Sequence, residues 1–363
     1  MYVVKYLKAC QLAIQKKIAG TPVSSLRELE PDYNFPRLSK SGLPSCINLQ
    51  DRASICNGSF KVIRFWLSLF SIYRIIKAPF KPKLNTITDS FGGSQIHLDE
   101  FNRWLSNSSK PIINKFFKFE SGGLDSTMVL PIMKSSPQGS KSYSRLLVSF
   151  NILVKLGLIS NIKELVNLFS YDSQKFWKDL ISNLTYISNL LSIDVSECDP
   201  YVGKLSFKEE AAGKLRIFAM VDVLTQSLLK PIHDQLFSLF ERIPNDCTHD
   251  QRKGFQLALD LSLKHGQSFG FDLSSATDRL PVSSQASLLT GLYGNDFGEK
   301  WRKLLVDRDY LIPNNNYGVP EGPIRYSVGQ PMGALSSWAM LNLVHHMMVQ
   351  YIALALDKVT YGS

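Results

Sequence analysis

Two carboxylates stand close together in the stretch Ser268 to Pro281, SFGFDLSSATDRLP. Asp272 follows the short apolar run Phe269, Gly270, Phe271; Asp278 precedes Arg279, Leu280 and Pro281. Apolar residues alternating into an acid predict a buried strand whose last residue opens onto a site. Pro281 suits the first turn of a helix, where a missing N–H has no partner to lose. Asp272 is then at a strand end and Asp278 in the turn behind it. A carboxylate so placed can hold a divalent cation against a phosphate. Taken alone, the stretch reads better as a solvated loop with two acids, since Asp is common in turns. Its flanks change that weighting.

Upstream, Lys204 to Asp222 (KLSFKEEAAGKLRIFAMVD) carries Lys204, Lys208, Lys214 and Arg216. The alternation Lys214, Leu215, Arg216, Ile217 puts two cations on one face of a strand. Such a pair can neutralise a triphosphate, Arg binding its oxygens bidentately, although a solvated edge strand carries Lys too. Downstream, RYSVGQPMGALSSWAMLNLVHHMMVQ runs from a loop with Gly329, Pro331 and Gly333 into Ser336 and Ser337, and then into a long apolar helix. Glycines let backbone approach a ligand, and hydroxyls at a helix start can point at a sugar or phosphate. His345 and His346 read as packing or surface histidines.

Helices must position these residues. Asp222 is the expected cap of DVLTQSLLKPIHDQLFSLFERI, with a kink expected at Pro231, and His233 reads as a surface or packing histidine. A polar loop is expected at Pro244 to Gly254, a helix from Pro281 to about Leu292, and a turn at Pro313 to Gly318. Residues 141–200 have helical apolar spacing. Thr21 to Asn57 reads as loop, and Lys77 to Leu84 as a basic connector. Val62 to Ile76 is the most apolar run, but Arg64 and Arg74 interrupt it. It falls short of the ~18–20 apolar residues of a membrane span and is expected to be a buried helix. The first residues carry Lys5, Lys8, Lys16 and Lys17 and no acid before Glu28. That texture fits a mitochondrial transit peptide and equally a surface helix at a domain start.

With 363 residues and 44% hydrophobic, the chain can bury a large core and divide into domains. Lys plus Arg number 41 against 31 acids, a formal +10, which fits a polyanionic partner such as nucleic acid. Five cysteines at wide spacing with no CxxC pair argue against a zinc site or a disulfide framework, and for a reducing compartment. Glu120 to Val129 (ESGGLDSTMV) resembles the phosphate loop of the PP-loop ATP pyrophosphatases. Its approach, Lys115 to Glu120, is not a clean buried strand, and Pro131 and Pro137 leave little room for a helix behind it, so a Gly-rich turn is the preferred reading.

Three stretches in this order, GKLRIFAMVD, FDLSSATDRLP and GQPMGALSSW followed by HH, resemble the RNA-dependent RNA polymerases of mitoviruses, within the narnavirus-like group. Weaker likenesses occur at Tyr73 and Arg74, at Lys83 to Thr88, and at Ile243 to Gln251. The resemblance implies an α+β right-hand polymerase fold. A helical N-terminal leader (1–85) would precede a fingers-like region (86–265) and a partial palm (266–363). It implies Mg²⁺ or Mn²⁺ held by Asp272, a ribose 2′-hydroxyl read by Asp278 with Ser336 and Ser337 nearby, and triphosphate contacts from Lys214 and Arg216. Gly329, Gln330, Gly333 and Lys208 would lie beside the RNA template and nascent strand. Nucleoside triphosphates are the implied substrates, mitochondria the implied location, and no membrane span is expected.

The family follows its glycine-loop helix with a Gly-Asp-Asp hairpin, which does not occur in this sequence; the chain reads TYGS to Ser363. One bridging acid gives too few anionic ligands for two hard cations. The expectation is a chain truncated before that motif, with incomplete palm and absent thumb, that does not extend a primer by itself. The alternatives are a noncatalytic RNA-binding remnant of an endogenised viral gene, a reverse transcriptase or intron maturase, and a PP-loop ATPase. Asp278 speaks against DNA-copying enzymes, which usually block the ribose 2′ position with a bulky side chain.

Overall fold

In the computed structural model, the first helix, α1 (Tyr2–Ile18), turns Val4, Ala9, Cys10, Ala13 and Ile14 inward. The structure describes residues 1–363 apart from 78, 81, 118–123, 125–127, 133–135, 140–142, 193–199, 295 and 357–363. Contacts divide the chain into a unit of Met1–Pro82 with Phe207–Ile217, and a unit of Lys83–Ser206 with Phe218–Ser363.

In the first unit, α1 shares a core with Leu26, Leu43, Ile47, Ile55 and Phe70. Lys8 and Lys16 are exposed, and Lys5 pairs with Glu30 at 2.8 Å. The expected loop Thr21 to Asn57 is interrupted by α2 (Leu49–Cys56), whose cap Asn48 accepts from the Asp51 N–H at 2.8 Å. The expected buried helix in Val62 to Ile76 is corrected. α3 (Phe60–Phe70) does form, but only Val62, Ile63, Trp66, Leu67 and Phe70 pack on the core. Phe65 and Leu69, with Ile72 and Ile75 in the 3₁₀ turn that follows, are exposed. The core covers one stripe of this helix, and the i, i+3, i+4 positions fill it. Among the described residues, no single helix is long and apolar enough to cross a membrane.

The second unit holds α4 (Gln95–Phe117), α5 (Tyr143–Lys155), α6 (Ile159–Val166) and α7 (Tyr171–Leu190). Strands β1 (Gly203–Glu209) and β2 (Leu215–Val221) follow, each with its other half in the first unit. Then come α8 (Val223–Phe240), α9 (Gln251–His265), α10 (Val282–Tyr293), α11 (Phe297–Val306), β3 (Tyr310–Ile312), β4 (Gly322–Ile324) and α12 (Ser337–Ala355). The mixed sheet has the order β2-β1-β3-β4. β1 runs parallel to β3 with Gly203 opposite Tyr310, and β3 antiparallel to β4 with Tyr310 opposite Ile324. The helices expected from Asp222 and Pro281, within 141–200, and after Ser337 are all present. α10 is central: Leu288, Leu289 and Leu292 are fully buried, and the helix packs against both α4 and α11. Trp177 and Trp301 are also fully buried, their indole N–H groups donating to Val129 O (2.8 Å) and Ser336 Oγ (3.0 Å).

α9 differs from the other helices. Asp250 caps it by accepting from the Arg252 and Lys253 N–H groups at 3.0 Å, and Gly266 ends it with φ 69°. None of its residues is buried. Its apolar residues Phe255, Leu257, Leu259, Leu261 and Leu263 recur every second position. On a helix that spacing makes two opposed stripes, Phe255, Leu259 and Leu263 on one side and Leu257 and Leu261 on the other, and neither is covered.

A buried ion pair joins the end of β2 to the start of β3. Asp222 caps α8 through the Thr225 N–H at 2.8 Å, and its other oxygen accepts from Thr225 Oγ1 (2.7 Å) and Arg308 Nη1 (2.5 Å). Arg308 Nη2 donates to Thr225 Oγ1 at 3.0 Å. Both charged side chains are at most 1% exposed. Removing one partner of such a pair strands the other charge out of water, at a cost of about 3–5 kcal/mol. Asp222→Ala is therefore expected to lower unfolding free energy in chemical denaturation by roughly that amount. Arg308→Met should cost less, because Asp222 keeps both Thr225 donors.

Candidate functional site

Asp278 lies in a single helical turn, Ala276–Arg279, entered through Ser275 at φ 51°. Its Oδ2 accepts from Thr86 Oγ1 at 2.8 Å. Thr86 belongs to a separate one-turn helix, Asn85–Thr88, and Arg279 binds that region as well, donating to Asp89 O (2.6 Å) and Ser90 O (2.7 Å). Burial raises the Asp278 pKa above the usual carboxylate range, against the Thr86 hydrogen bond and the Arg279 charge. Tyr326 is buried near it; burial first, and then the Asp278 charge, push the phenol well up.

The glycine loop is locked onto this turn by backbone. Gly329 N–H donates to Asp278 O and Gln330 N–H to Thr277 O, each at 3.0 Å, and Val282 N–H donates to Val328 O at 2.9 Å. A Cβ at Gly329 would stand 2.1 Å from Thr277 O and 2.5 Å from Asp278 O, so only glycine fits. The same loop closes on β2, where a Cβ at Gly333 would stand 2.1 Å from Ala219 O. Gln226 of α8 holds it there, donating to Gly333 O (2.9 Å) and accepting from Leu335 N–H (2.8 Å). The Gln330 side chain is fully buried and donates to Gln285 Oε1 and, at 3.0 Å, to Ser337 O. Ser336 and Ser337 are buried. The Ser336 hydroxyl accepts from Trp301, and the Ser337 hydroxyl donates to Met332 O at 3.2 Å.

Asp272 is exposed, in an irregular segment that also exposes Phe269 (76%) and Phe271 (93%). The buried strand expected here is thus corrected. A strand needs a neighbour on one edge at least, and the sheet β2-β1-β3-β4 does not include this segment. Alternation alone could not reveal that.

The expected cationic strand is present as β2. Lys214, just before it, and Arg216 within it are exposed and converge on one carboxylate, Glu210, at 3.4 Å and 2.8 Å. Slight burial opposes ionisation of Glu210, but the Arg216 and Lys214 contacts outweigh it and hold its pKa below the usual range. Lys208 is exposed on β1. These residues are in the first unit, and Asp272, Asp278 and the glycine loop are in the second.

Sequence reasoning missed several partners. Thr86 was foreshadowed only by the weak likeness at Lys83 to Thr88, and Glu210 not at all. His346, read as a packing histidine, bonds Asp246 Oδ2 at 2.9 Å beside the Asn342 amide at 2.7 Å, so α12 anchors the loop before α9. Burial lowers the His346 pKa against the pull of Asp246. Gly122, Gly123 and Asp125 of the phosphate-loop likeness, and the final TYGS, lie outside the described residues.

The family described as mitovirus RNA-dependent RNA polymerase matches residues 123–361, a stretch that includes the Asp278 turn, the glycine loop and β2. Over 97% of its length the chain is 31% identical to the RNA-directed RNA polymerase of Cryphonectria parasitica mitovirus 1, of which it covers 43%. The chain belongs to the mitovirus RNA-dependent RNA polymerase family. Two uncharacterized mitochondrial proteins of Arabidopsis thaliana are similar over shorter stretches. One is 29% identical over 31% of the chain and 53% of its own length; the other is 32% identical over 32% and 45%. The chain thus spans about half the length of these curated relatives. The backbone lock between the Asp278 turn and the glycine loop thus lies within the stretch that matches this family.

Gly329→Ala is expected to break that lock, seen as lost protection of the backbone amides at positions 329 and 330 in hydrogen exchange while β3 remains protected. Because burial raises the Asp278 pKa, stability from its neutral form is present at low pH and lost as pH rises through the folded-state pKa. Asp278→Asn should therefore match or exceed wild type in thermal midpoint at pH 7.5, with the excess shrinking as pH falls towards the ordinary carboxylate range.

Proposed function

We propose that this chain forms the fingers and the first part of the palm of a right-hand polymerase, and that the whole protein copies an RNA template into RNA. What carries the reading is the pair of backbone hydrogen bonds from Gly329 and Gln330 to Asp278 and Thr277, which make one wall from two separate stretches of the family match. The family and the relative's name support the activity.

On this reading Asp272 is the metal-binding carboxylate. It is a hard oxygen donor and exposed, and Mg²⁺ is typically held by one or two carboxylates together with substrate phosphates and water. Asp272 thus fits as one ligand of an ion arriving with a nucleoside triphosphate. Mg²⁺ or Mn²⁺ bound there would supply positive charge for the attacking hydroxyl and the departing pyrophosphate. Lys214 and Arg216 take the triphosphate, exchanging contacts with Glu210. Asp278, held by Thr86, hydrogen-bonds the ribose 2′-hydroxyl. Ser336 and Ser337 shape the corner beside the sugar. Gly329, Gln330, Gly333 and Lys208 flank the template, with affinity largely electrostatic. Mitochondria are the proposed location, consistent with the mitochondrial relatives and the basic N-terminal helix.

Equilibrium binding of ATP and 2′-deoxy-ATP to the 363-residue chain, with and without Mg²⁺, tests these roles. Asp272→Asn should abolish the Mg²⁺-dependent part of the affinity. Asp278→Asn should keep that part but lose about tenfold in preference for ribose, the worth of one charge-assisted hydrogen bond. Equal Mg²⁺ dependence in Asp272→Asn and wild type would refute the assignment.

A further inference from the structure

Trp338, the second residue of α12, is 45% exposed although aromatic rings back it. Phe237 of α8 lies 5.2 Å from it between ring centroids at an interplanar angle of 43°, and Phe240 lies 6.0 Å away, edge-on at 88°. Phe237 also carries His249 edge-on at 6.0 Å, and the His249 ring lies within 3.0 Å of Phe237 O. His233 packs on Phe237 at 4.2 Å and is tied to the loop before Trp338 through the Ser336 N–H. A tryptophan used only to fill the core would be covered, as Trp177 and Trp301 are. Trp338 is instead held firmly from below with much of its surface open, and its indole N–H has no hydrogen-bond partner among the described residues.

The surroundings select the occupant. Arg252 and Lys253, in the first turn of α9 just after His249, are exposed and form no ion pair among the described residues. Of the nearby acids, Asp250 is occupied in capping α9, Asp246 bonds His346, and Glu241 stands 3.9 Å from His249. A supported aromatic face combined with basic side chains is how proteins bind single-stranded nucleic acid: bases stack on the ring and phosphates meet the cations. We propose that Trp338, backed by Phe237, on which His249 also packs, stacks an unpaired base of single-stranded RNA immediately beside the glycine loop. This assignment rests on the RNA function proposed above.

The test is fluorescence anisotropy of the full chain with a labelled single-stranded oligoribonucleotide of about 15 nucleotides, and with an abasic oligonucleotide of equal length. Trp338→Ala should bind the base-containing strand about tenfold more weakly. Trp338→Phe should retain most of the affinity, and the abasic strand should not distinguish Trp338→Ala from wild type. The salt dependence should be unchanged in Trp338→Ala and shallower in an Arg252→Ala, Lys253→Ala double variant. Competition by free AMP at the strand's concentration should be absent, marking a base carried by a strand. Equal affinity of Trp338→Ala and wild type, an equal loss on the abasic strand, or full competition by AMP overturns the stacking site. Should Trp338→Ala misfold by circular dichroism, His249→Ala is read instead: a severalfold loss confined to the base-containing strand supports the site, and no loss overturns it. Failure of wild type to bind any RNA overturns the RNA reading itself, whereas a bound wild type with an unaffected Trp338→Ala overturns only this inference.

Discussion

The site depends on one loop that has no side chain at two points of closest approach. At Gly329 the backbone lies against Thr277 and Asp278, and at Gly333 against Ala219 of β2. Even one methyl group at either point would stand 2.1 Å from a carbonyl oxygen, far inside van der Waals contact. The loop therefore docks by backbone hydrogen bonding, whose geometry is narrow, and not by side-chain packing, which can adapt. This explains how a stretch that looks like a flexible turn becomes a fixed reference for Asp278 on one side and β2 on the other. The carboxylate is held in turn by Thr86 and by the grip of Arg279 on the chain after Thr86.

The frame behind this loop is fixed electrostatically. Asp222 and Arg308 meet where no water reaches, and a buried ion pair is a poor source of net stability because both charges lose hydration. Its value here is geometric. Asp222 ends β2 and starts α8, Arg308 leads into β3, and α8 supplies the Gln226 that clamps Gly333 and Leu335. The pair specifies which strand end faces which, and the uncharged contacts around it add cohesion.

Local signals were legible in the sequence where local physics decides. Asp222 and Pro281 announced their helices, the Lys214 to Ile217 alternation announced β2, and apolar spacing announced the helices within 141–200. Properties set by distant partners were not. Phe269 to Asp272 has the pattern of a strand, but pairing depends on what lies alongside. The face of α3 that stays uncovered depends on where the core ends. Nothing in the sequence singled out Glu210 from its neighbour Glu209; only the turn brings it back to Lys214 and Arg216. The Thr86–Asp278 bond joins residues 192 positions apart, beyond any spacing rule. The glycines were noticed as glycines, but their need for carbonyl contact appears only once Thr277 and Ala219 are in place.

α9 follows a different rule from every other helix described. Period-two apolar residues suit a pleat, and wound into a helix they divide between two opposed stripes, both of them exposed. Its order is therefore local, resting on the Asp250 cap, the Gly266 terminus and intrinsic propensity, in a length range where isolated helices are marginal. Few buried apolar contacts place a segment at the low-stability end of a fold. The chain leading to Asp272 thus leaves a helix that the described core does not clasp, so the placement of that carboxylate draws on helix capping more than on packing.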